Sequence, residues 1–356
     1  MMQPTHMAST GEAAEAQSRP ILSVRNLKTY FPLDEGTVRA VDGVSFDLKA
    51  SQTIGIVGES GCGKSITARS ILGILDKPGR IEEGEILFSR PSSDGEAPAG
   101  AVDLVQLDPN GVEMRSIRGG EIAYVFQEPM TSFSPVHTIG NQLIETIMLH
   151  RKVTKKDARE MAIEALRQVG VPLPEQRINE YSFQLSGGLR QRAMIAMALS
   201  SNPSILIADE PTTALDVTTQ AQILDLMRDI QQKVGMAIIL ITHDLGVIAE
   251  MTEYVVVMYL GKVVESATVD DIFHNPKHPY TRALLKSIPR MQAVSRERLA
   301  SITGSVPHPY DRPTGCPYNP RCPDFMENRC DVREPSLSAL QVGHEVSCFL
   351  YQEDSS

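Results

Sequence analysis

Cysteine is scarce in this chain, at five residues in 356, and four of the five fall together as Cys316, Cys322, Cys330 and Cys348. Long hydrophobic runs are missing. None reaches the roughly 18 residues that span a bilayer, so no transmembrane helix is expected. The opening stretch, MMQPTHMASTGEAAEAQSRP, lacks the apolar centre of a signal peptide and reads as a disordered leader. A cytosolic chain with reduced thiols is therefore expected, and clustered cysteines there point to metal or redox chemistry before disulfides. Positive charge is also sparse. The net charge is −10, and Lys and Arg are scattered with no basic stripe, which argues against nucleic acid as a partner. There is no internal repeat and no heptad run. What remains is an ordinary globular composition, 42% apolar and 22% charged, long enough for one large domain or two modest ones.

The stretch TIGIVGESGCGKS begins with a short apolar run at Ile54, Ile56 and Val57. It continues as Gly58, Glu59, Ser60, Gly61, Cys62, Gly63, Lys64 and Ser65, which fits G-x-x-x-x-G-K-S/T, and a helical run follows from Ile66. Strand, loop and helix in that order are the context a phosphate-binding loop requires. Glycines let backbone N–H groups curl around phosphate oxygens at the positive end of the helix. Lys64 is expected to reach the β- and γ-phosphates and Ser65 to hold Mg²⁺, with Ile66 next to them in the nucleotide site. Cys62 reads as a small tolerated side chain, because the backbone does the binding there.

A second apolar run, Ile205 to Ala208, ends in Asp209 and Glu210. Ligands of open α/β sheets bind at such strand ends. Asp209 suits the Mg²⁺ shell through water, and Glu210 is placed to polarise a water for attack on the γ-phosphate. A third run, AIILITHD, ends in His243, which is placed to contact the γ-phosphate and hold that water. In LSGGLRQR, Ser186, Gly187 and Gly188 precede another helical run, and such a helix start is a further anion site. Two phosphate grips in one chain imply that the second serves a nucleotide held by a partner.

In this order the motifs resemble the ATP-binding subunits of ABC transporters. They are the loop at 58–65, Gln127 in VFQEP, LSGG at 185–188, ILIADEP at 205–211, ALD at 214–216 and THD at 242–244. The resemblance implies an α/β fold, a P-loop ABC ATPase cassette with a RecA-like core, an antiparallel β subdomain and a helical subdomain. It implies two cassettes packed head to tail around two ATP molecules, each between one subunit's P-loop and the other's LSGG. Gln127 would sense Mg²⁺ and the γ-phosphate, and Asp216 would organise the dimer interface. Phe31 in NLKTYF, with Tyr30 as runner-up, would stack on adenine.

FQEPMTSFSPVHTIGNQL and HNPKHPYTRALLKSIP, with His278-Pro279-Tyr280, resemble the oligopeptide/dipeptide/nickel branch of ABC importers. A motor of that branch sits at the cytoplasmic face of the membrane. Its expected partners are two transmembrane permease subunits, a second and different ATP-binding subunit and, indirectly, an extracytoplasmic binding protein. Peptides are the expected cargo, with nickel or oligosaccharides as alternatives. The rival class is an ABC ATPase of DNA repair or translation, which usually carries long coiled-coil inserts or two cassettes. Phe133-Ser134 in place of Leu-Asn, Leu189 after the signature and a polar insertion near 89–103 depart from the branch pattern.

Residues 21–50 alternate apolar and polar in short runs and read as the antiparallel β subdomain. VTKKDAREMAIEALRQVG reads as a helix, started by Thr154 and Asp157 and stopped at Gly170, inside an expected helical subdomain at about 128–190. After a leader over 1–20, the cassette is expected over 21–265 and a Pro-rich accessory domain over 266–356. The tail cysteines are spaced C-x5-C-x7-C-x17-C. A cross-link would suit a segment too small to fold alone. Zinc prefers close C-x2–4-C knuckles, which this spacing lacks. GCPYNPRCP is similar to the tail of peptide-importer ATPases that bind a 4Fe–4S cluster. The resemblance thus implies one such cluster on Cys316, Cys322, Cys330 and Cys348, with Zn²⁺ or no metal as alternatives.

Overall fold

The computed structural model describes residues 19–90, 100–128, 132–213, 215–288 and 302–352. The expected leader lies almost wholly outside these residues, as do the centre of the polar insertion and Ala214 of ALD. Two sheets are formed among the described residues. The smaller runs in the order β2 (Gly36–Lys49), β1 (Pro20–Leu33), β4 (Arg80–Phe88), β5 (Val102–Asp103). The alternation over 21–50 becomes the antiparallel pair of β1 with β2, with Leu22, Val24 and Leu27 turned inward. The last residues of the insertion enter this sheet, because β5 pairs with the end of β4.

The larger sheet runs β11 (Ser338–Gln341), β12 (His344–Val346), β10 (Lys262–Thr268), β9 (Tyr254–Tyr259), β3 (Thr53–Val57), β8 (Ala237–Ile241), β7 (Ile205–Asp209), β6 (Ile122–Val125). From β9 to β6 the pairing is parallel. Every residue of β3, β7 and β8 is buried, since both faces are covered, and this is why they read as unbroken apolar runs. The two faces meet different cores. Ile205, Ile207, Ile239 and Ile241 pack with the β subdomain. Leu206, Ala208, Ile238 and Leu240 pack with the helices at Ile139–His150, Lys155–Gln168 and Gly187–Leu199. The helix Lys155–Gln168 starts where the Thr154 hydroxyl accepts the Asp157 N–H at 3.2 Å, and it buries Ala158, Ala162 and Leu166. Phe133 is buried in the same core.

The C-terminal segment extends the cassette sheet. β12 pairs antiparallel with β10, setting Glu265 opposite Val346, and β11 pairs with β12. Glu265 and His344 are fully buried, with His344 Nε2 2.8 Å from the Glu265 carboxylate. The same carboxylate accepts the backbone N–H groups of Lys277 (2.7 Å) and His278 (2.9 Å). A third core follows, in which Tyr259 of β9 meets Tyr280 at 4.7 Å and Tyr318 at 5.3 Å between ring centres.

This packing corrects the expectation for the cysteines. Cys316, Cys322, Cys330 and Cys348 are free thiols, and none but Cys322 is even half-exposed. Among the described residues no group of three or more His, Cys, Asp or Glu side chains is arranged to hold a metal ion. Neither the 4Fe–4S cluster nor the zinc alternative is supported. Cys316, Cys330 and Cys322 belong to the hydrophobic packing around Tyr318. Burial pushes the Cys316 thiol up to about 12 and Cys322 up to about 11. The need for a staple rested on a segment that folds alone, and this one does not: it adds strands and aromatic rings to the cassette.

His278 gives this docking a pH dependence. Its Nδ1 accepts the Tyr280 N–H at 3.1 Å, and burial pushes its pKa down from 6.5 to about 3. The docked tail holds His278 neutral, and an undocked tail takes up a proton below 6.5. Docking stability is therefore complete above that value and is lost progressively as pH falls toward 3. At pH 5 the loss should be roughly 2 kcal/mol, at 1.36 kcal/mol per unit. Limited proteolysis of the tail at pH 7.5 and 5 checks this, and His278→Asn, which keeps an acceptor at the cap, should flatten the difference.

Candidate active site

The carboxyl ends of β3, β8 and β7 lie side by side, with Gly55 level with Leu240 and Asp209 level with Ile241. Whatever follows each strand is brought to one place. After β3 comes the loop 58–65. At Gly63, φ is +99 and a Cβ would lie 2.2 Å from the Ala40 carbonyl oxygen. At Gly58, φ is +152 and a Cβ would lie 2.2 Å from the Met258 carbonyl oxygen. Both positions require glycine. The helix Lys64–Ile71 starts directly after Gly63, so its positive end faces the loop. Lys64 Nζ donates to the carbonyls of Gly58 (2.8 Å) and Glu59 (3.2 Å).

Asp209 is buried at the end of β7. It accepts the Ser65 hydroxyl at 3.0 Å on one oxygen and the Tyr124 hydroxyl at 2.7 Å on the other. Burial, then the charge of Asp209, pushes the Tyr124 pKa up, so Tyr124 stays a neutral donor. Glu210 takes a left-handed backbone, φ +47, at a cost of about 1–3 kcal/mol. Its carboxylate accepts Gln127 Nε2 at 3.0 Å and the Thr213 hydroxyl at 2.9 Å, and lies 3.2 Å from His243 Nδ1. Gln127, Glu210 and His243 thus meet from the ends of three strands.

Ser60, Gly61, Cys62, Gly63, Lys64, Ser65 and Ile66 line one cleft with Gln127 and Glu210. Val38, Arg39 and Ala40 also line it, as do His308, Pro309 and Arg312 of the tail. Gly58 and Glu59 border a neighbouring groove with Arg321 and His243. Tyr30 and Phe31 are not on the cleft wall. The Tyr30 hydroxyl donates to Asp42 at 2.8 Å, and Phe31 lies against Gly79, where a Cβ would come 2.4 Å from its ring.

Ser186 caps the helix Gly187–Leu199 and accepts the Leu189 N–H at 3.4 Å. Ser186 and Gly187 are exposed, and neither they nor Gly188 line the cleft. Gly188 sits so near Thr219 that a Cβ would come 2.7 Å from its methyl. Asp216 is exposed and caps the helix Val217–Val234, accepting the Thr219 N–H at 3.0 Å, and the Thr219 bonds lower its pKa. Sequence reasoning missed Tyr124, Thr213 and the tail residues. Tyr124 reads as a strand aromatic, and nothing marks its hydroxyl until β6 lies beside β7. No local signal marks His308 or Arg312.

A glycine-rich loop between strand and helix, set at the carboxyl edge of a parallel sheet, marks a nucleotide-binding fold. Comparison with known proteins agrees. A solved dimeric cassette in a post-hydrolysis state, bound to ADP and Pi, superposes with a TM-score of 0.59 at 27% identity, covering 70% of this chain and 98% of its own. The ABC transporter family model matches residues 41–213, and that of the oligopeptide/dipeptide transporter C-terminal region matches 264–330. The oligopeptide transport ATP-binding protein AppD of Bacillus subtilis is 49% identical over 336 residues, 94% of this chain and 98% of its own. The dipeptide transport ATP-binding protein DppD of Escherichia coli is 45% identical over 335 residues, again 94% and 98%. The chain belongs to the ABC transporter family, among its oligopeptide and dipeptide ATP-binding proteins, and is an ATPase of that type.

Gly63→Ala tests the loop. The collision with the Ala40 carbonyl adds to a left-handed strain of roughly 1–2 kcal/mol. ATP binding, followed with a fluorescent analogue, should be lost, and the unfolding midpoint should fall by several degrees. Wild-type ATP affinity in this variant would show that the loop is held some other way.

Proposed function

We propose that this chain is the ATP-hydrolysing motor of an importer of di- or oligopeptides, working as one half of a head-to-tail pair of cassettes. The observation that carries the hydrolytic reading is the Glu210 carboxylate, held by Gln127, Thr213 and His243 beside the Ser65–Asp209 contact. Lys64, set in place by the carbonyls of Gly58 and Glu59, reaches β- and γ-phosphate oxygens. Ser65, Asp209 and Gln127 form an all-oxygen donor set of the kind Mg²⁺ prefers, and the ion would neutralise charge on the β- and γ-phosphates. Glu210 polarises the attacking water, and His243 orients it against the γ-phosphate. Gln127 links the γ-phosphate to the helical subdomain.

The outward position of Ser186 and Gly187 supports a composite site, in which they grip the ATP of the second cassette and Asp216 lies at the interface. That second cassette is a different chain in this reading. No helix of the described residues is long and apolar enough to cross a membrane, so translocation requires permease subunits, with the motor bound peripherally at their cytoplasmic side and an extracytoplasmic binding protein delivering cargo. The loop around Ser134 and Val136 is the face offered to the permeases, and Val136 is largely exposed. Peptide cargo is supported by the relatives' names.

Glu210→Gln should keep ATP binding and lose at least about a hundredfold of turnover, the usual scale for a positioned base. Phosphate release by the assembled transporter measures it, and wild-type turnover would remove Glu210 from this role. In a complex where this subunit alone carries Ser186→Arg, the ATP held at its own Lys64 should remain while the opposite site fails to close. Loss at its own P-loop instead would contradict the composite site.

A further inference from the structure

The C-terminal tail reaches the P-loop at a residue the phosphate motif leaves open. Glu59 is the first variable position after Gly58, and it is held from the tail in two ways. Its backbone N–H donates to the Tyr280 hydroxyl at 2.8 Å. Its carboxylate accepts both terminal nitrogens of Arg321, at 2.7 and 3.0 Å. The carbonyl of this same residue is one of the two that hold Lys64 Nζ. Residue 59 thus ties the tail to the phosphate-binding ammonium within a single residue.

Arg321 is built to stay where it is. Its side chain is 4% exposed, against 24% for Glu59. Nε donates to the Thr303 carbonyl at 3.1 Å, and the Tyr259 hydroxyl lies 3.3 Å from Nη1. The guanidinium also lies over the rings of Tyr259, at 5.8 Å, and Tyr318, at 6.0 Å. A planar, two-pronged pair between a buried guanidinium and a carboxylate fixes orientation as well as distance, unlike a mobile surface ion pair. Removing one partner of such a pair leaves the other partly buried and uncompensated.

We propose that Arg321 is a positioning residue for ATP hydrolysis, which holds the P-loop in its phosphate-ready shape through Glu59. The tail is then a working part of the ATP site. This inference rests on the reading of Gly58–Ser65 as that site. Arg321 acts by fixing where the backbone of Glu59, and with it the Lys64 ammonium, lies.

The test uses the full chain assembled with its partners and compares Arg321→Ala, Glu59→Gln, the double variant and Arg282→Ala. Arg282 serves as the structural control. It braces the tail through the Tyr351 hydroxyl at 2.7 Å and the Pro276 carbonyl at 3.2 Å, with no contact to the P-loop. Arg321→Ala and Glu59→Gln should each raise the KM for ATP about tenfold, equivalent to about 1.4 kcal/mol, and the double variant should be no worse than either alone. Arg282→Ala should lower the thermal midpoint as much as Arg321→Ala while leaving the KM for ATP near wild type. The proposal is overturned if Arg321→Ala leaves the KM unchanged, if the two losses simply add, or if Arg282→Ala raises the KM equally. Lys64→Ala separates this failure from failure of the underlying site. If it does not abolish ATP binding, the P-loop reading is wrong. If it does and Arg321→Ala has no effect on KM, the positioning role alone is wrong.

Discussion

The parallel register of β3, β8 and β7 is the constraint on which the rest of the site depends. It places the loop after β3, the acidic pair at the end of β7 and His243 after β8 at one edge of the sheet. A slip of one residue would turn Asp209 to the opposite face and break its 3.0 Å contact with Ser65. Polarity cannot guard this register, because both faces are apolar. Shape does: one face presents Ile205 and Ile207 to the β subdomain, and the other presents Leu206 and Ala208 to the helices. The two cores of the cassette are thereby responsible for the alignment of its chemistry.

Glu210 shows how tightly that alignment is drawn. Its left-handed backbone is stabilised by the N–H bond to the Ile241 carbonyl at 2.8 Å, so β8 underwrites the turn that ends β7. Its carboxylate then gathers a side chain from beyond β6, one from its own turn and one from beyond β8. A shift in any of these elements changes the surroundings of the same two oxygens. The helical subdomain, whose core continues onto one face of the sheet, is mechanically close to the reacting centre for this reason.

The parts of the molecule that were legible in the sequence are those whose signal is local. The loop at 58–65, the Asp209–Glu210 strand end and the Thr154-capped helix each declare themselves within a dozen residues, because a glycine turn, an apolar run or a cap is decided by near neighbours. The contacts of Tyr124 and Arg321 were not legible, since each depends on a strand or tail distant in the chain. Tyr30 bonds Asp42 and Phe31 lies against Gly79, contacts that no local pattern in β1 marks. The cysteines misled for a physical reason. Their spacing suggests a staple only for a tail that stands alone, whereas its aromatic residues share a core with β9 and the helix Pro279–Lys286.

The pairing of β12 with β10 also decides what the sheet presents to solvent. Without it, β10 would be a bare edge of backbone donors and acceptors, a template for pairing with another chain. In its place the border of the sheet is β11, four residues long and mostly exposed, with a turn at Gly343 behind it. So short a border leaves few backbone groups open to edge-to-edge pairing. The tail thereby covers a sheet edge, and a cassette without it would also leave the buried carboxylate of Glu265 without its partners Lys277, His278 and His344.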